Sequence, residues 1–234
     1  MTAVRQTNVG VWPEASLLAG LSASSCDAML KLGTDRVFEQ GRRLIGEDDE
    51  STYVMLLCAG CVKVAGRLED GREALLAIRA RGDLVGEMAA LDDRPRSATV
   101  TSCGRIRAKM ITQRDFLYFL RTHPDVHLAV NRMLVQRLRQ ANRRRLDFTG
   151  CEASVRVARV LVEISETYGR PTSEGRRTTV RLAQHELAAL SGTARQTVEQ
   201  TLRRLRDEGA VTTGYRAFTV VDSATLYYAA HLDF

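Results

Sequence analysis

Residues 82–98 read Gly-Asp-Leu-Val-Gly-Glu-Met-Ala-Ala-Leu-Asp-Asp-Arg-Pro-Arg-Ser-Ala, and their reading decides how the rest of the chain is understood. Gly86 has no Cβ, so the backbone can bend closely around a ligand there, and the amides that follow, through Met88 and Ala89, can point at an anion. Arg96 supplies a planar, bidentate countercharge that suits a phosphate better than a lysine would. Ser97 adds a hydroxyl, with Ala98 beside it. Glu87 is an acceptor without a donor and suits a sugar hydroxyl instead of the phosphate. An ordinary β-turn with a surface ion pair would use similar residues, so the surroundings have to decide.

Those surroundings are strand-like. Residues 37–110 form short apolar runs punctuated by Gly41, Gly46, Gly60, Gly66, Gly71, Gly82, Gly86 and Gly104, a pattern that predicts an antiparallel all-β unit. Glu69-Asp70-Gly71 is the best hairpin turn, joining residues 61–64 to residues 74–78, and residues 98–100 and 106–110 close the unit. Ahead of it, Leu17, Leu18, Leu21, Met29 and Leu32 predict short helices, with Trp12 and Pro13 docking the arm.

Helical spacing resumes after Thr112, a cap for residues 114–121. His123-Pro124 breaks it, because the residue before proline is pushed out of the helical region. Residues 125–149 then read as one helix of about 25 residues, against ~11 for an ordinary globular helix. Within it Leu134, Leu138, Ala141, Arg145 and Phe148 follow alternating steps of four and three, the seam of a parallel two-helix coil. The alternative is that this stripe packs on the chain's own β unit. Gly150 stands where a helix C-cap is expected, and Gly150 with Cys151 forms a hinge candidate before a helix from near Glu152 to Tyr168. A polar loop or hairpin with Pro171 and Gly175 follows.

Residues 183–190 and 194–207 predict two helices around the turn Ser191-Gly192-Thr193, with Leu187, Leu190, Val198, Leu202 and Leu205 inward: a helix-turn-helix. Helical spacing turns Arg195, Gln196, Glu199, Gln200 and Arg203 away from that stripe, toward a DNA groove. Arginine suits guanine N7 and O6, and glutamine favours adenine. Thr197, Gln184 and Arg181 are better placed for phosphates, which set register and carry no sequence code.

The net charge of +6 is unevenly placed. Residues 1–125 carry 17 Lys+Arg against 17 Asp+Glu, and residues 126–234 carry 17 against 11, which fits a neutral sensor joined to a polyanion binder. The N-terminus has no apolar run after basic residues, so neither signal peptide nor membrane anchor is expected and a cytoplasmic location follows. Five cysteines, Cys26, Cys58, Cys61, Cys103 and Cys151, are expected to be reduced and buried. Cys58 and Cys61 have metal-like spacing, but no second local pair completes four ligands, so no metal is expected. Among His123, His127, His185 and His231 no catalytic constellation emerges, so no catalytic residues and no enzyme are expected.

The joint spacing Gly86-Glu87-Met88-Ala89, short loop, Arg96-Ser97-Ala98 resembles the phosphate-binding cassette of the CRP/FNR family of bacterial transcription regulators. The resemblance continues through Gly192-Thr-Ala-Arg-Gln-Thr-Val-Glu-Gln-Thr-Leu, similar to the family's recognition helix, and a wing at residues 211–221 around Gly214. It implies an α+β fold: a β-roll sensor over residues 1–124, a dimerisation helix and hinge over 125–150, and a winged helix-turn-helix over 151–234. It also implies a homodimer on near-palindromic double-stranded DNA, with RNA polymerase as a candidate partner, and cyclic AMP as effector. Arg195 matches the family's first base-reading arginine, while Gln196 and Gln200 stand where the best-known members have Glu and Arg. Members that bind cyclic AMP meet the adenine with hydroxyl side chains on the long helix, and alignment on Arg137-Leu138 and Arg156 places Ala141 and Asn142 there. Asn142 still offers a donor and an acceptor to a purine, whereas Ala141 offers neither. Cyclic GMP, cyclic di-GMP or activity without ligand stay open, and Arg137, Arg139, Arg143, Arg144 and Arg145 are either a solvated face or an attraction for a dinucleotide.

Overall fold

A computed structural model describes residues 12–233 apart from 15, 70, 72 and 179, so Asp70 of the expected hairpin turn lies outside the described residues. A 3-10 turn, Leu17–Gly20, and α1 (Ala23–Leu30) lead into β1 (Thr34–Phe38), β2 (Arg43–Ile45), β3 (Val54–Ala59), β4 (Cys61–Arg67), β5 (Glu73–Ala80), β6 (Leu84–Val85), α2 (Glu87–Asp92), β7 (Thr99–Ser102) and β8 (Ile106–Ile111). These strands form two antiparallel sheets, β1-β8-β3-β6 and β2-β7-β4-β5. Strand β3 begins Val-Met-Leu-Leu without alternation because both its faces are covered. Met55 and Leu57 point between the sheets onto Val62, Val100 and Ile106, whereas Val54 and Leu56 point onto Phe116, Leu120, Val126 and Met29.

Thr112 caps α3 (Gln113–Thr122) by accepting the Asp115 N–H at 3.1 Å, and Pro124 is the first residue of α4 (Pro124–Gly150). At 27 residues α4 is about 40 Å long, and its first half is anchored by Val126, Val130 and Met133. The exposed stripe differs by one position from the sequence expectation. Leu134 turns half inward onto the core, while Val135, Leu138 and Leu146 stay outside, at 50%, 61% and 71% exposure, and Leu128 is exposed nearer the start of the helix. Ala141, Arg145 and Phe148 are also exposed.

Gly150 does not cap α4. The helix runs through it and ends because Cys151 is extended (φ −119°, ψ 142°), its N–H donating to Asp147 O at 3.0 Å. A left-handed glycine is unnecessary there. Arg156 Nη1 takes the Cys151 carbonyl at 2.8 Å, and Arg159 pairs with Asp147 while donating to Ala230 O at 2.9 Å.

The remaining chain is α5 (Ala153–Tyr168), β9 (Gly169–Thr172), β10 (Gly175–Thr178), α6 (Gln184–Ser191), α7 (Arg195–Asp207), β11 (Val211–Gly214), β12 (Ala217–Val220) and α8 (Ser223–Ala229). The segment after Tyr168, expected as a loop or hairpin, pairs with the wing in one sheet of order β11-β12-β10-β9. Its hydrophobic core is continuous with the outer face of the second β-roll sheet: Cys61, Ile78, Ala80 and Cys103 join Leu161, Leu187 and Leu226. The tail thus docks through α8, with Asp222 capping it at Thr225 N–H, 3.2 Å. No helix among the described residues is long and apolar enough to cross a membrane.

Candidate functional site

The end of β6 builds the first site. Gly86 adopts φ +80°, which sharply turns the chain from strand into α2 and leaves the first-turn amides of α2 without intrahelical partners. A Cβ there would lie 2.7 Å from Arg96 Nη1, 2.8 Å from Ile45 Cδ1 and 3.0 Å from Tyr53 O. Gly86→Ala is therefore expected to cost about 1–2 kcal/mol in backbone strain alone and to push Arg96 out of place. Denaturant unfolding and ligand titration of the variant measure both effects.

Arg96 is 3% exposed, and its partners are neutral: Gly86 O at 2.7 Å, Tyr53 O at 2.6 Å and Ser51 Oγ at 3.2 Å, with the guanidinium 4.7 Å from the Tyr53 ring centre. Burial pulls its pKa down, only partly countered by Tyr53, Asp49 and Glu87. No carboxylate among the described residues forms an ion pair with it, so a buried cation facing a cradle is short of an anion. Ser97 is exposed beside Met88, with its Oγ 3.6 Å from the Met88 sulfur. Glu87, 5% exposed, is not free: Arg137 Nη1 lies 2.6 Å from its Oε1 and Arg137 Nη2 donates to Leu84 O at 2.8 Å. Arg137, fifty residues downstream in a run of arginines, thus faces the site; no local signal distinguished it from its neighbours. Arg144 leaves the solvated face too, pairing with Glu163 at 2.7 Å and reaching Leu76 O. Arg139, Arg143 and Arg145 are exposed.

Behind Glu87 lies a polar network that the sequence did not announce. Asp83 accepts the Ala80 N–H at 3.1 Å, and burial raises its pKa against the pull of Arg137 and Arg79. Burial works against the charge on Arg79, yet Tyr168, Asp83 and Glu87 together more than offset it. Tyr168, on α5, donates to Ile78 O at 2.7 Å, and its own pKa is raised mainly by burial. The network runs from the cradle to the helix-turn-helix unit.

The cradle is a cavity of about 180 Å³ that holds Gly86, Glu87, Met88, Ala89, Arg96 and Ser97. It shares Met88, Ser97, Ala98 and Arg137 with a mainly apolar cavity of about 600 Å³, walled by Leu75, Ala77, Ala141 and Phe148. Asn142 is exposed on α4 and does not line either cavity in the single chain.

At the second site, α6 ends on Gly192 in the left-handed region (φ +58°), and a Cβ there would sit 2.0 Å from Phe148 Cε1. The turn is thus pressed on the last part of α4. Arg156 fixes it from the other side through Ser191 O at 2.9 Å and Gly192 O at 3.0 Å. Helix α7 buries Val198, Thr201, Leu202 and Leu205, and this leaves Arg195, Gln196, Glu199, Gln200 and Arg203 exposed on one side. Arg195 Nε lies 3.0 Å from Glu199 Oε1, so this pair must part or share a base edge when DNA binds. Arg181 is exposed, whereas Gln184 and Thr197 are half-buried.

Residues 35–123 match the model of the cyclic nucleotide-binding domain, and residues 155–228 match that of the Crp-like helix-turn-helix domain. The chain is 31% identical to the cyclic AMP receptor protein of Thermus thermophilus over 90% of its own length and 94% of the relative's. It is 27% identical to the CRP-like cAMP-activated global transcriptional regulator of Mycobacterium tuberculosis, over 91% and 95%. The fold is similar to that of FixK2 from Bradyrhizobium japonicum, with a TM-score of 0.75 at 18% identity over 85% of this chain and 97% of that one. Cradle, helix-turn-helix and near full-length likeness agree: the chain belongs to the CRP/FNR family of DNA-binding transcription regulators and is not an enzyme.

Proposed function

We propose that the protein is a homodimer that binds near-palindromic DNA under the control of cyclic AMP and acts in the cytoplasm, with RNA polymerase as its partner at promoters. The carrying observation is the buried, anion-short Arg96 at the closed end of a pocket whose open end is apolar. That gradient suits a molecule with a phosphate at one end and a flat base at the other. Gly86, Arg96 and Ser97 would hold the phosphate and Glu87 the ribose hydroxyl. Both full-length relatives are named for cyclic AMP, which supports the choice among cyclic nucleotides. Arg145 on the wall of the apolar cavity favours a second reading, a more highly charged effector such as cyclic di-GMP. Calorimetric titration with cyclic AMP, cyclic GMP and cyclic di-GMP separates them: tight cyclic AMP binding supports the first, and binding by none sinks both and leaves a DNA-binding dimer whose cradle is vestigial or tuned to something else.

A ribose hydroxyl at Glu87 competes with Arg137 for the carboxylate, and Arg137 sits on α4 beside the exposed stripe. The response then has two routes to the recognition helix, through Arg79, Asp83 and Tyr168 or through Phe148 against Gly192. Ligand need only bind one arrangement more tightly than the other to shift the balance.

On the DNA side, Arg195 would read guanine and the two glutamines adenine. Arg195→Ala is expected to cost about 1–3 kcal/mol and to relax specificity at one base pair. Selection from random DNA is expected to return a half-site that keeps a guanine but changes its neighbours; recovery of the unaltered family half-site would contradict the glutamine assignment.

A further inference from the structure

We propose that Cys61 and Cys103 form a two-electron redox pair that a hydroperoxide closes to a disulfide, changing how the DNA-binding unit seats on the β-roll. Strands β4 and β7 pair antiparallel with Val62 opposite Ser102, and one step further places Cys61 opposite Cys103, where Cys103 N–H donates to Cys61 O at 3.0 Å. Residues directly opposed in an antiparallel ladder have Cα atoms about 4.5–5.5 Å apart. That lies within the roughly 4.4–6.8 Å a disulfide spans. Both side chains project from the outer face of the sheet, at 8% and 9% exposure, into the core shared with α5 and α6. They sit where the DNA-binding unit rests: the Arg181 backbone N–H faces Cys61, and the neighbouring Lys63 pairs with Glu186 of α6 at 3.2 Å.

The two thiols are unequal. A hydrogen bond from the Cys103 thiol, working against burial, lowers the Cys61 pKa, while the same contact and burial raise that of Cys103. The Arg181 backbone N–H that faces Cys61 is placed to stabilise its thiolate, so Cys61 is the nucleophile. Its thiolate attacks the nearer peroxide oxygen, the O–O bond breaks, and the departing oxygen takes a proton and leaves as water or alcohol. The Cys61 sulfenic acid is then attacked by the Cys103 sulfur, which gives up its proton; the S–O bond breaks and water leaves. Two thiols and one hydroperoxide become one disulfide, one water and one water or alcohol, with the thiols oxidised and the peroxide reduced. Cys26 and Cys58 have their pKa values raised chiefly by burial, which leaves them poorer nucleophiles. Drawing the two sulfurs together removes the Cys61 group that faces Arg181 N–H and reshapes the surface under α6.

The test uses the full-length, fully reduced protein exposed to hydrogen peroxide, with alkylation of remaining thiols, peptide mapping and operator binding by fluorescence anisotropy. The expected result is a Cys61–Cys103 cross-linked peptide, loss of two hydrogens from the intact mass, and about a tenfold change in operator affinity that dithiothreitol reverses, within the range usual for allosteric coupling. Cys103→Ser is expected to stop at a Cys61 sulfenic acid trapped by dimedone, and a Cys26→Ser/Cys58→Ser/Cys151→Ser variant to respond like the parent. If Cys61 and Cys103 stay alkylatable after peroxide, or the triple variant loses the response, the pair is not the redox element. A cross-link that leaves operator affinity unchanged overturns its regulatory effect.

Discussion

Arg137→Ala is expected to destabilise the protein by about 3–5 kcal/mol and to abolish most of its effector affinity, because it strips the partner from a carboxylate that is 5% exposed. The pair Arg137–Glu87, at 2.6 Å, is largely buried between α2, β6 and α4, with the arginine side chain still 17% exposed on the cavity side. Removing the cation leaves Glu87 charged without a partner, beside a buried Asp83 whose pKa is already raised chiefly by burial and which also loses Arg137 as a counterion. Burial already favours the protonated form of Asp83, and losing Arg137 favours it further, so the loss should shrink as pH falls. Glu87→Gln in the Arg137→Ala background removes the orphaned charge and is expected to restore much of the stability without restoring ligand binding. Denaturant unfolding and calorimetric titration on the parent and the two variants provide the measurement. A change below about 0.5 kcal/mol for Arg137→Ala, the size of an ordinary surface substitution, would mean that the pair is not buried in solution.

Leu138→Glu is expected to turn the proposed homodimer into a monomer at micromolar concentration and, with it, to remove binding to a two-half-site operator. Leu138 is 61% exposed on the single chain, in line with Val135 and Leu146, and α4 has no other apolar cover for that stripe among the described residues. Burying a leucine contributes about 1.5–3 kcal/mol, and the two-fold seam would lose two of them while placing two like charges against one another. Arg139→Glu, one residue on and exposed, changes charge by more than Leu138→Glu and is expected to leave the assembly intact. Sedimentation equilibrium of both variants decides the matter: equal effects would point to net charge, and no effect from Leu138→Glu would place the interface elsewhere.

How much of this was legible in the chain follows a physical division. Signals that act on the backbone within a few residues were readable: the glycine turns of the β-roll, the proline that opens α4, the cap at Thr112, the glycine that ends α6 and the apolar spacing of α7. The cradle was readable for the same reason, since Gly86 through Ser97 are near neighbours and their backbone states are set locally. Gly150 was misread because a glycine is only one way to end a helix; here an extended Cys151, with Arg156 and Arg159 taking nearby polar groups, does so without a left-handed residue. Leu134 and Val135 were exchanged because a helical period fixes a stripe only to within a residue, and the direction in which α4 leaves the β-roll settles which one is covered.

The sequence by itself therefore determined the elements, their order, the tight glycine turn at Gly86 and the helix-turn-helix. Only the tertiary structure chose Arg137 from five nearby arginines to meet Glu87, brought Tyr168 to Arg79 and Asp83, and set Cys61 opposite Cys103 beneath the DNA-binding unit. Backbone conformation is decided by contacts a few residues long, whereas the partner of a buried charge or thiol is decided by which surfaces exclude water together, and that depends on the whole fold.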